Sequence, residues 1–259
     1  MIDITHAKQE FKKYVSNYNP NNSRIALKIS HILRVADNCK SIAESLNFSE
    51  EDVKLAELIG IFHDIGRFEQ VRIANTFSDK ESGINHGELS AKILFEDGLI
   101  RNYLDDTKYD NLIKNAIINH NRSEIDKSLT GRDLLFAKII RDADKLDIFY
   151  NITFTEMEAI FWYKDFNCEK ISDKVLNELL YDNKINYQDI TNNADVITIF
   201  YAFIFDLYFD STLDTLIEKK YLDLFTKRVL ETFKSPTIHT QMKSVVALYR
   251  DYFAKHTNK

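Results

Sequence analysis

Glycine and proline are scarce in this sequence, with six and two copies among 259 residues. Few turns are therefore marked by these residues, and no long alternation of apolar and polar residues indicates strands. Hydrophobic residues make up 44% of the chain and aromatic residues 12%, which is enough for a large core. These features together predict an all-α protein.

Cysteine and basic charge are also in short supply. Cys39 and Cys168 form neither a disulfide pattern nor a zinc-binding spacing, as is typical of proteins in a reducing cytoplasm. The net charge of −6 argues against nonspecific binding to nucleic acid. The N-terminus lacks the pattern of a signal peptide, and the apolar run over residues 196–209 is shorter than the ~20 residues that span a bilayer. We expect a cytoplasmic protein that binds neither nucleic acid nor membranes, with residues 196–209 as a buried helix.

Histidine and aspartate, by contrast, occur where an apolar helix face is predicted. His63 and Asp64 lie side by side at the end of an apolar run whose start is marked by Ser49, a typical capping residue. The two side chains are about 100° apart on a helix, so both can turn toward the core. A single pair of this kind is more often a hydrogen-bonded part of the core than a metal site. Gly66 is predicted to end the helix in a left-handed conformation.

Three further histidines and an acidic segment strengthen the case for a metal site. His31, His86 and His120 each belong to another predicted helix, and residues 139–147 place acids in a fifth. An unpaired buried charge is costly. Because several polar side chains are expected to point inward, they need a shared partner, and a metal ion would supply it. Spacing alone leaves three candidates for the inward carboxylate of the fifth helix: Asp142, Asp144 and Asp147.

The order of these residues resembles a known family. His31, then His63-Asp64, then Asp144 within Ala-Asp-Lys-Leu-Asp is similar to the H…HD…D pattern of the HD superfamily of metal-dependent phosphohydrolases. In that family the four residues hold one divalent metal, so the resemblance selects Asp144 among the three candidates. His86, opening His-Gly-Glu-Leu-Ser-Ala, and His120, in Ile-Asn-His-Asn, match the two extra histidines of the dinuclear branch. There the HD aspartate bridges both ions.

The resemblance covers residues 24–150 and implies an HD-type helical core there. We expect residues 1–259 to form one all-α domain, in which residues 151–259 are a helical extension packed on the core. The segment from 67 to 83 has no clean period, and residues 77–83 within it are interpreted as a loop at the rim of the site. The implied metal ligands are His31, His63, Asp64, His86, His120 and Asp144.

The resemblance to the dinuclear branch implies two divalent transition metals per chain, and nitrogen and carboxylate ligands without thiolate suit Mn²⁺, Fe²⁺, Co²⁺, Ni²⁺ or Zn²⁺. Water shared by two such ions loses a proton near neutral pH and becomes a nucleophile toward phosphorus. The expected substrate is a small phosphate ester, in particular a nucleotide. Its phosphate needs cationic contacts, which Arg67 and Lys145 can supply because each closely follows a metal ligand; the alternative for both is a surface cation. The predicted catalytic residues are Asp64, Arg67 and Lys145.

Two other functions remain open from the sequence. HD-type mixed-valent di-iron oxygenases use the same six ligands, and a nucleotide-sensing module would use the same fold with little or no catalysis. Two departures from family patterns limit the kinds of hydrolase that the sequence fits. No Gly-Tyr-Pro motif follows His120, which argues against a cyclic di-GMP phosphodiesterase. Arg67 stands where some HD nucleotidases carry an acid, which argues against general-acid help from that position. The sequence does not indicate an oligomeric state.

Overall fold

The computed structural model describes residues 2–156 and 167–257, and these residues form helices and connecting turns without any strand. The prediction of an all-α protein is therefore confirmed. The chain divides into two compact units, residues 1–147 and 148–259. The prediction of a single domain spanning both units stays a prediction. No helix in the described part of the chain is long and apolar enough to cross a membrane.

The first unit contains the helices from which the predicted ligands come. A π turn (Lys92–Glu96) continues the sixth helix, and a 3₁₀ turn (Leu99–Asn102) follows it. In chain order the α-helices are α1 (Ile4–Val15), α2 (Ser23–Ser45), α3 (Glu50–Phe62), α4 (Gly66–Ala74), α5 (Asp79–Ser82), α6 (His86–Ala91), α7 (Asp110–His120) and α8 (Gly131–Phe154), the last of which contains the boundary between the units.

Side-chain caps fix the starts of three helices that contain or directly precede predicted ligands. Asn22 accepts a hydrogen bond from the backbone N–H of Arg24 at the start of α2. Ser49, the predicted cap, accepts from the N–H of Asp52 at the start of α3. Asn85 accepts from the N–H of Glu88 at the start of α6. Because the cap at 85 immediately precedes His86, it fixes that histidine as the first residue of its helix.

Two glycines allow helices near the predicted ligands to pack closely. A Cβ atom at Gly60 would lie 2.5 Å from the Cα of Ala36, so a larger residue would push α3 away from α2. A Cβ atom at Gly66 would lie 2.7 Å from the backbone nitrogen of Ser90 in α6. The prediction that Gly66 ends the HD helix in a left-handed conformation is wrong, since it begins α4 and has no positive φ. Glycine is needed there for close packing on α6 rather than for chain reversal.

The prediction of a loop over residues 77–83 is wrong for Asp79–Ser82, which form the one-turn helix α5. Helix α4 precedes this segment and is followed by Asn75 in a left-handed conformation. Fully buried Gln70 donates to Asp79 Oδ1 at 2.9 Å and to Ser82 Oγ at 3.0 Å. Because these polar contacts hold the segment, it has no regular apolar face that would show in the sequence.

The second unit is helical as well. The buried helix predicted over residues 196–209 is α10 (Asn193–Ala202), which begins and ends earlier than predicted and is followed by a 3₁₀ turn (Phe203–Asp206). The interior of α10 is almost entirely buried, as expected for such a run. Asp195, within its first turn, is buried and accepts from Ser172 and Thr191. The α-helices of this unit after α8 are α9 (Asp173–Asn177), α10 (Asn193–Ala202), α11 (Asp210–Glu218), α12 (Tyr221–Thr232) and α13 (Pro236–Thr257).

Candidate metal centre

The six predicted ligands lie close together in the first unit. Five are buried, and Asp144 is partly exposed at 20% of its side chain. They form three overlapping groups, and within each group one potential ligand atom per residue lies within 4.8 Å of the others. The groups are His31–His63–Asp64, His63–His120–Asp144 and Asp64–His86–His120.

Asp64 lies between two sets of histidines. Its Oδ2 is 3.4 Å from His31 Nε2 and 3.6 Å from His63 Nε2. Its Oδ1 is 3.4 Å from His86 Nε2 and 3.7 Å from His120 Nε2. Each oxygen of one carboxylate therefore faces a different pair of imidazoles. Asp144 joins the first pair only, with its Oδ1 3.2 Å from His31 Nε2 and 3.8 Å from His63 Nε2.

Hydrogen bonds orient all four imidazoles through their Nδ1 atoms. Each Nδ1 lies close to a carboxylate or carbonyl oxygen, which can only accept, so Nδ1 carries a proton and donates it. This assignment leaves Nε2 as the atom available to a metal. The pairs are His31 with Asp147 at 2.6 Å, His63 with the Gly60 carbonyl at 2.7 Å, His86 with Asp79 at 2.6 Å, and His120 with the Ile117 carbonyl at 2.6 Å.

Two features inside the cluster would be stabilised by a bound cation. The Nε2 atoms of His86 and His120 are 3.0 Å apart. When both Nδ1 atoms donate, two nitrogen lone pairs face each other without a proton between them. In addition, Asp64 Oδ1 is buried and has no hydrogen-bond partner. A buried, unpaired carboxylate oxygen is costly, and a divalent metal bound by these atoms would remove both penalties. The residues present therefore fit divalent metal.

The pKa values of the buried groups shift in different directions across the cluster. Burial lowers the pKa of His63 to about 3 and that of His86 to about 4, so both are neutral at physiological pH, the form in which an imidazole binds metal. Burial opposes the charged form of His31 too, but hydrogen bonds to nearby carboxylates outweigh it and raise its pKa to about 10. Burial likewise opposes the anion of Asp64, yet Lys28 and His63 hold the pKa of that carboxyl well below its usual range.

Two supporting aspartates were not identified as such from the sequence. Asp147 lies one turn after Asp144 on α8, so helical spacing made it one of three open candidates; it supports His31 and pairs with Arg34 Nη2 at 3.0 Å. Asp79 comes from the segment that was interpreted as a loop, so no helical period pointed to it. Its Oδ1 accepts from Arg67 Nη1 at 2.9 Å, while its Oδ2 lies against His86. His86 and Arg67 lower the pKa of Asp79 to about 2, although burial opposes this.

Three cationic residues concern the site: two contact Asp64, and one follows Asp144 in sequence. Arg67 Nε is 3.5 Å from Asp64 Oδ1, while its Nη1 donates to the Phe77 carbonyl at 2.5 Å. Lys145 is buried, with 8% of its surface exposed, and follows Asp144 on α8. Sequence reasoning missed the third, Lys28, whose Nζ is 2.5 Å from Asp64 Oδ2. It precedes His31 by three residues on α2, so helical spacing could have indicated it.

Comparison with known families agrees with this geometry. Residues 29–148 match the family model described as the HD domain, and all six clustered residues fall in this range. This segment is therefore an HD domain, the domain type of the superfamily of metal-dependent phosphohydrolases. HD domains bind divalent metals, and the resemblance read from the sequence is confirmed at the level of the family. The chain has no significant match among curated proteins or among solved structures.

Proposed function

We propose that this protein is a dinuclear-type HD phosphohydrolase that cleaves a nucleotide or another small phosphate ester. The observation that carries the proposal is the position of Asp64. Its two oxygens face two different histidine pairs at 3.4–3.7 Å, and Oδ1 lacks any hydrogen-bond partner. A carboxylate in this arrangement is suited to bridging two ions.

The ligands divide between the two ions by the same distances. His31, His63 and Asp144 would hold the first ion together with Asp64 Oδ2, and His86 and His120 would hold the second together with Asp64 Oδ1. When bound, two such ions activate a water molecule near neutral pH and act as Lewis acids toward phosphate oxygens. The absence of thiolates in the cluster favours manganese, iron, cobalt, nickel or zinc.

The protein's own contribution begins with orientation. The hydrogen bonds at Nδ1 hold each imidazole with Nε2 directed at Asp64, so little side-chain freedom remains to be lost when a metal binds. Asp147 and Asp79 supply carboxylates to His31 and His86, which raises the basicity of those two ligands. Backbone carbonyls one turn earlier do the same for the other two histidines.

Arg67 and Lys145 are the proposed contacts to the substrate. The Nε of Arg67 is buried without a hydrogen-bond partner beside Asp64, so it has a donor available for a phosphate oxygen. Lys145 directly follows the proposed ligand Asp144 on α8 and is buried. A buried ammonium is better suited to contact a bound phosphate than to interact with solvent. A charge-assisted hydrogen bond of this kind contributes roughly 1.5–3 kcal/mol.

A phosphatase screen with metal analysis tests the proposal. Metal-loaded protein is incubated without oxygen with nucleotides and small phosphate esters, and phosphate release is measured for the wild type, Asp64→Ala and the exposed control Asp37→Ala. We expect release by the wild type and the control but not by Asp64→Ala. Bound iron with turnover that requires oxygen would favour the di-iron oxygenase instead, and metal binding without any turnover would favour the sensing module.

A further inference from the structure

Lys28 is a charged residue of the metal centre to which the proposed function assigns no role. Its side chain is 16% exposed, and its Nζ lies 2.5 Å from Asp64 Oδ2. The same ammonium lies 5.4 Å from the centre of the Phe77 ring, which offers a favourable cation–π contact. Helix α2 therefore contributes a cation to the site one turn before it contributes His31.

The ammonium of Lys28 has hydrogen-bonding capacity to spare. It carries three N–H donors, and within residues 2–156 and 167–257 its one hydrogen-bond acceptor is Asp64. Two donors are thus left beside the bridging carboxylate. Arg67 differs, because its Nη1 already serves the Phe77 carbonyl, Gln70 and Asp79. Both cations that touch Asp64 nevertheless keep donors for a ligand, Lys28 through its ammonium and Arg67 through Nε.

The two cations also lie on different oxygens of Asp64. Lys28 is next to Oδ2, which faces His31 and His63, whereas Arg67 Nε is next to Oδ1. A phosphate group held over Asp64 would meet a positive side chain on each side. The phosphate group of a monoester has three unesterified oxygens, and that of a diester has two. If each of two divalent ions bound one of these oxygens, an unesterified oxygen would remain for a cationic side chain only in the monoester.

We infer that Lys28 is a catalytic residue that donates a hydrogen bond to an unesterified phosphate oxygen of the substrate, and that it favours monoesters and terminal phosphates over diesters. This inference rests on the proposed function. The competing role for Lys28 is purely structural: the ammonium would only balance the charge of Asp64 and would affect metal uptake instead of substrate.

The test compares Lys28→Ala, Lys28→Met and Lys28→Arg with Lys40→Ala, an exposed lysine on the same helix. Three quantities are measured on metal-loaded, folded protein: metal content, the Kd of inorganic phosphate by calorimetry, and kcat/KM for a phosphate monoester and a diester. For Lys28→Ala and Lys28→Met we expect unchanged metal content and phosphate binding weakened about tenfold. We expect kcat/KM to fall by a similar factor for the monoester and by a smaller factor for the diester. Lys28→Arg should recover most of the binding, and Lys40→Ala should behave as wild type.

The outcomes separate this inference from the proposed function. Phosphate binding that is unchanged in Lys28→Ala and Lys28→Met overturns it, and so does a loss of metal in these variants, which would indicate the structural role. Wild-type protein that does not bind phosphate at all overturns it as well. If the wild type hydrolyses no ester but binds phosphate in a Lys28-dependent way, the contact stands while the hydrolase proposal fails.

Discussion

At the scale of single residues, Asp79 connects parts of the site that are distant in sequence. One of its oxygens meets Nδ1 of His86, and the other accepts from Arg67 and Gln70. It thus orients a proposed ligand of the second ion and a proposed substrate contact at once. An aspartate can serve both sides because each of its two oxygens accepts hydrogen bonds, whereas an asparagine has only one accepting oxygen.

Replacing Asp79 by asparagine should therefore weaken the binding of the second ion and leave the binding of the first unchanged. We expect Asp79→Asn to reduce the affinity of the site at His86 and His120 by about 10–100-fold and to leave the other ion in place. Titration with a competing chelator measures both affinities, and Asp97→Asn, an exposed position, is the control. An equal loss of both ions, or no loss, would show that Asp79 does not act through His86.

The substrate contacts make a different prediction. Arg67→Ala and Lys145→Ala should keep their metal but lose on the order of tenfold or more in kcat/KM for a phosphate ester, because a charge-assisted hydrogen bond to phosphate is removed. Arg72→Ala, on the exposed side of α4, is the matched control for Arg67. The loss should shrink for a substrate without phosphate. Wild-type rates in both variants would remove the support that these two residues give to the hydrolase proposal.

At the scale of elements, the spacing of apolar residues predicted those helices that bury one regular face. Helices α2 and α7 contain His31 and His120 as expected, the HD pair directly follows the end of α3, and the cap at Ser49 is confirmed. Helices α4 and α5 were missed because their segment is held by hydrogen bonds around Asp79, and such contacts leave no period in the sequence.

The site shows the same difference between residues on a regular apolar face and residues held by contacts between helices. The clustering of the six proposed ligands could be anticipated because each was expected on an inward face or matched a family motif. Lys28 and Asp79 could not be recognised with the same certainty, since their importance comes from contacts between elements: Lys28 reaches from α2 to Asp64, and Asp79 reaches from α5 to α4 and α6. Sequence periodicity records which face of a helix is buried, but not which neighbour that face meets.

The packing of α3 on α2 gives a prediction about Gly60. A glycine inside a helix normally costs roughly 0.5–1 kcal/mol relative to alanine, so Gly→Ala usually stabilises. Here the new methyl group would lie 2.5 Å from Ala36 Cα, so Gly60→Ala should instead lower the free energy of unfolding by about 1–3 kcal/mol. Denaturant unfolding measures this change. A more stable Gly60→Ala protein would contradict the close approach of the two helices.

At the scale of the whole molecule, the HD segment and the first compact unit end at nearly the same residue, 148 and 147. All proposed ligands belong to this unit, so metal binding should stabilise it directly. A ligand that binds only the folded state at 1,000 times its Kd adds about 4.1 kcal/mol to the free energy of unfolding.

Chelation should therefore destabilise the protein in a way that depends on the site. We expect the midpoint of thermal unfolding to fall on treatment with EDTA and to return when divalent metal is restored. The Asp64→Ala protein should show no such difference, and His6→Ala, at an exposed histidine outside the site, should respond as wild type does. An equal response of Asp64→Ala to EDTA would place the stabilising metal elsewhere.

The central claim is that one carboxylate, Asp64, is shared by two ions. Elemental analysis of metal-saturated wild type, Asp64→Ala and His120→Ala tests it most directly, with circular dichroism to verify that each protein is folded. The account predicts two ions per chain in the wild type, none in Asp64→Ala and one in His120→Ala, because only the first variant removes a ligand from both sites. Unchanged metal content in folded Asp64→Ala would contradict it.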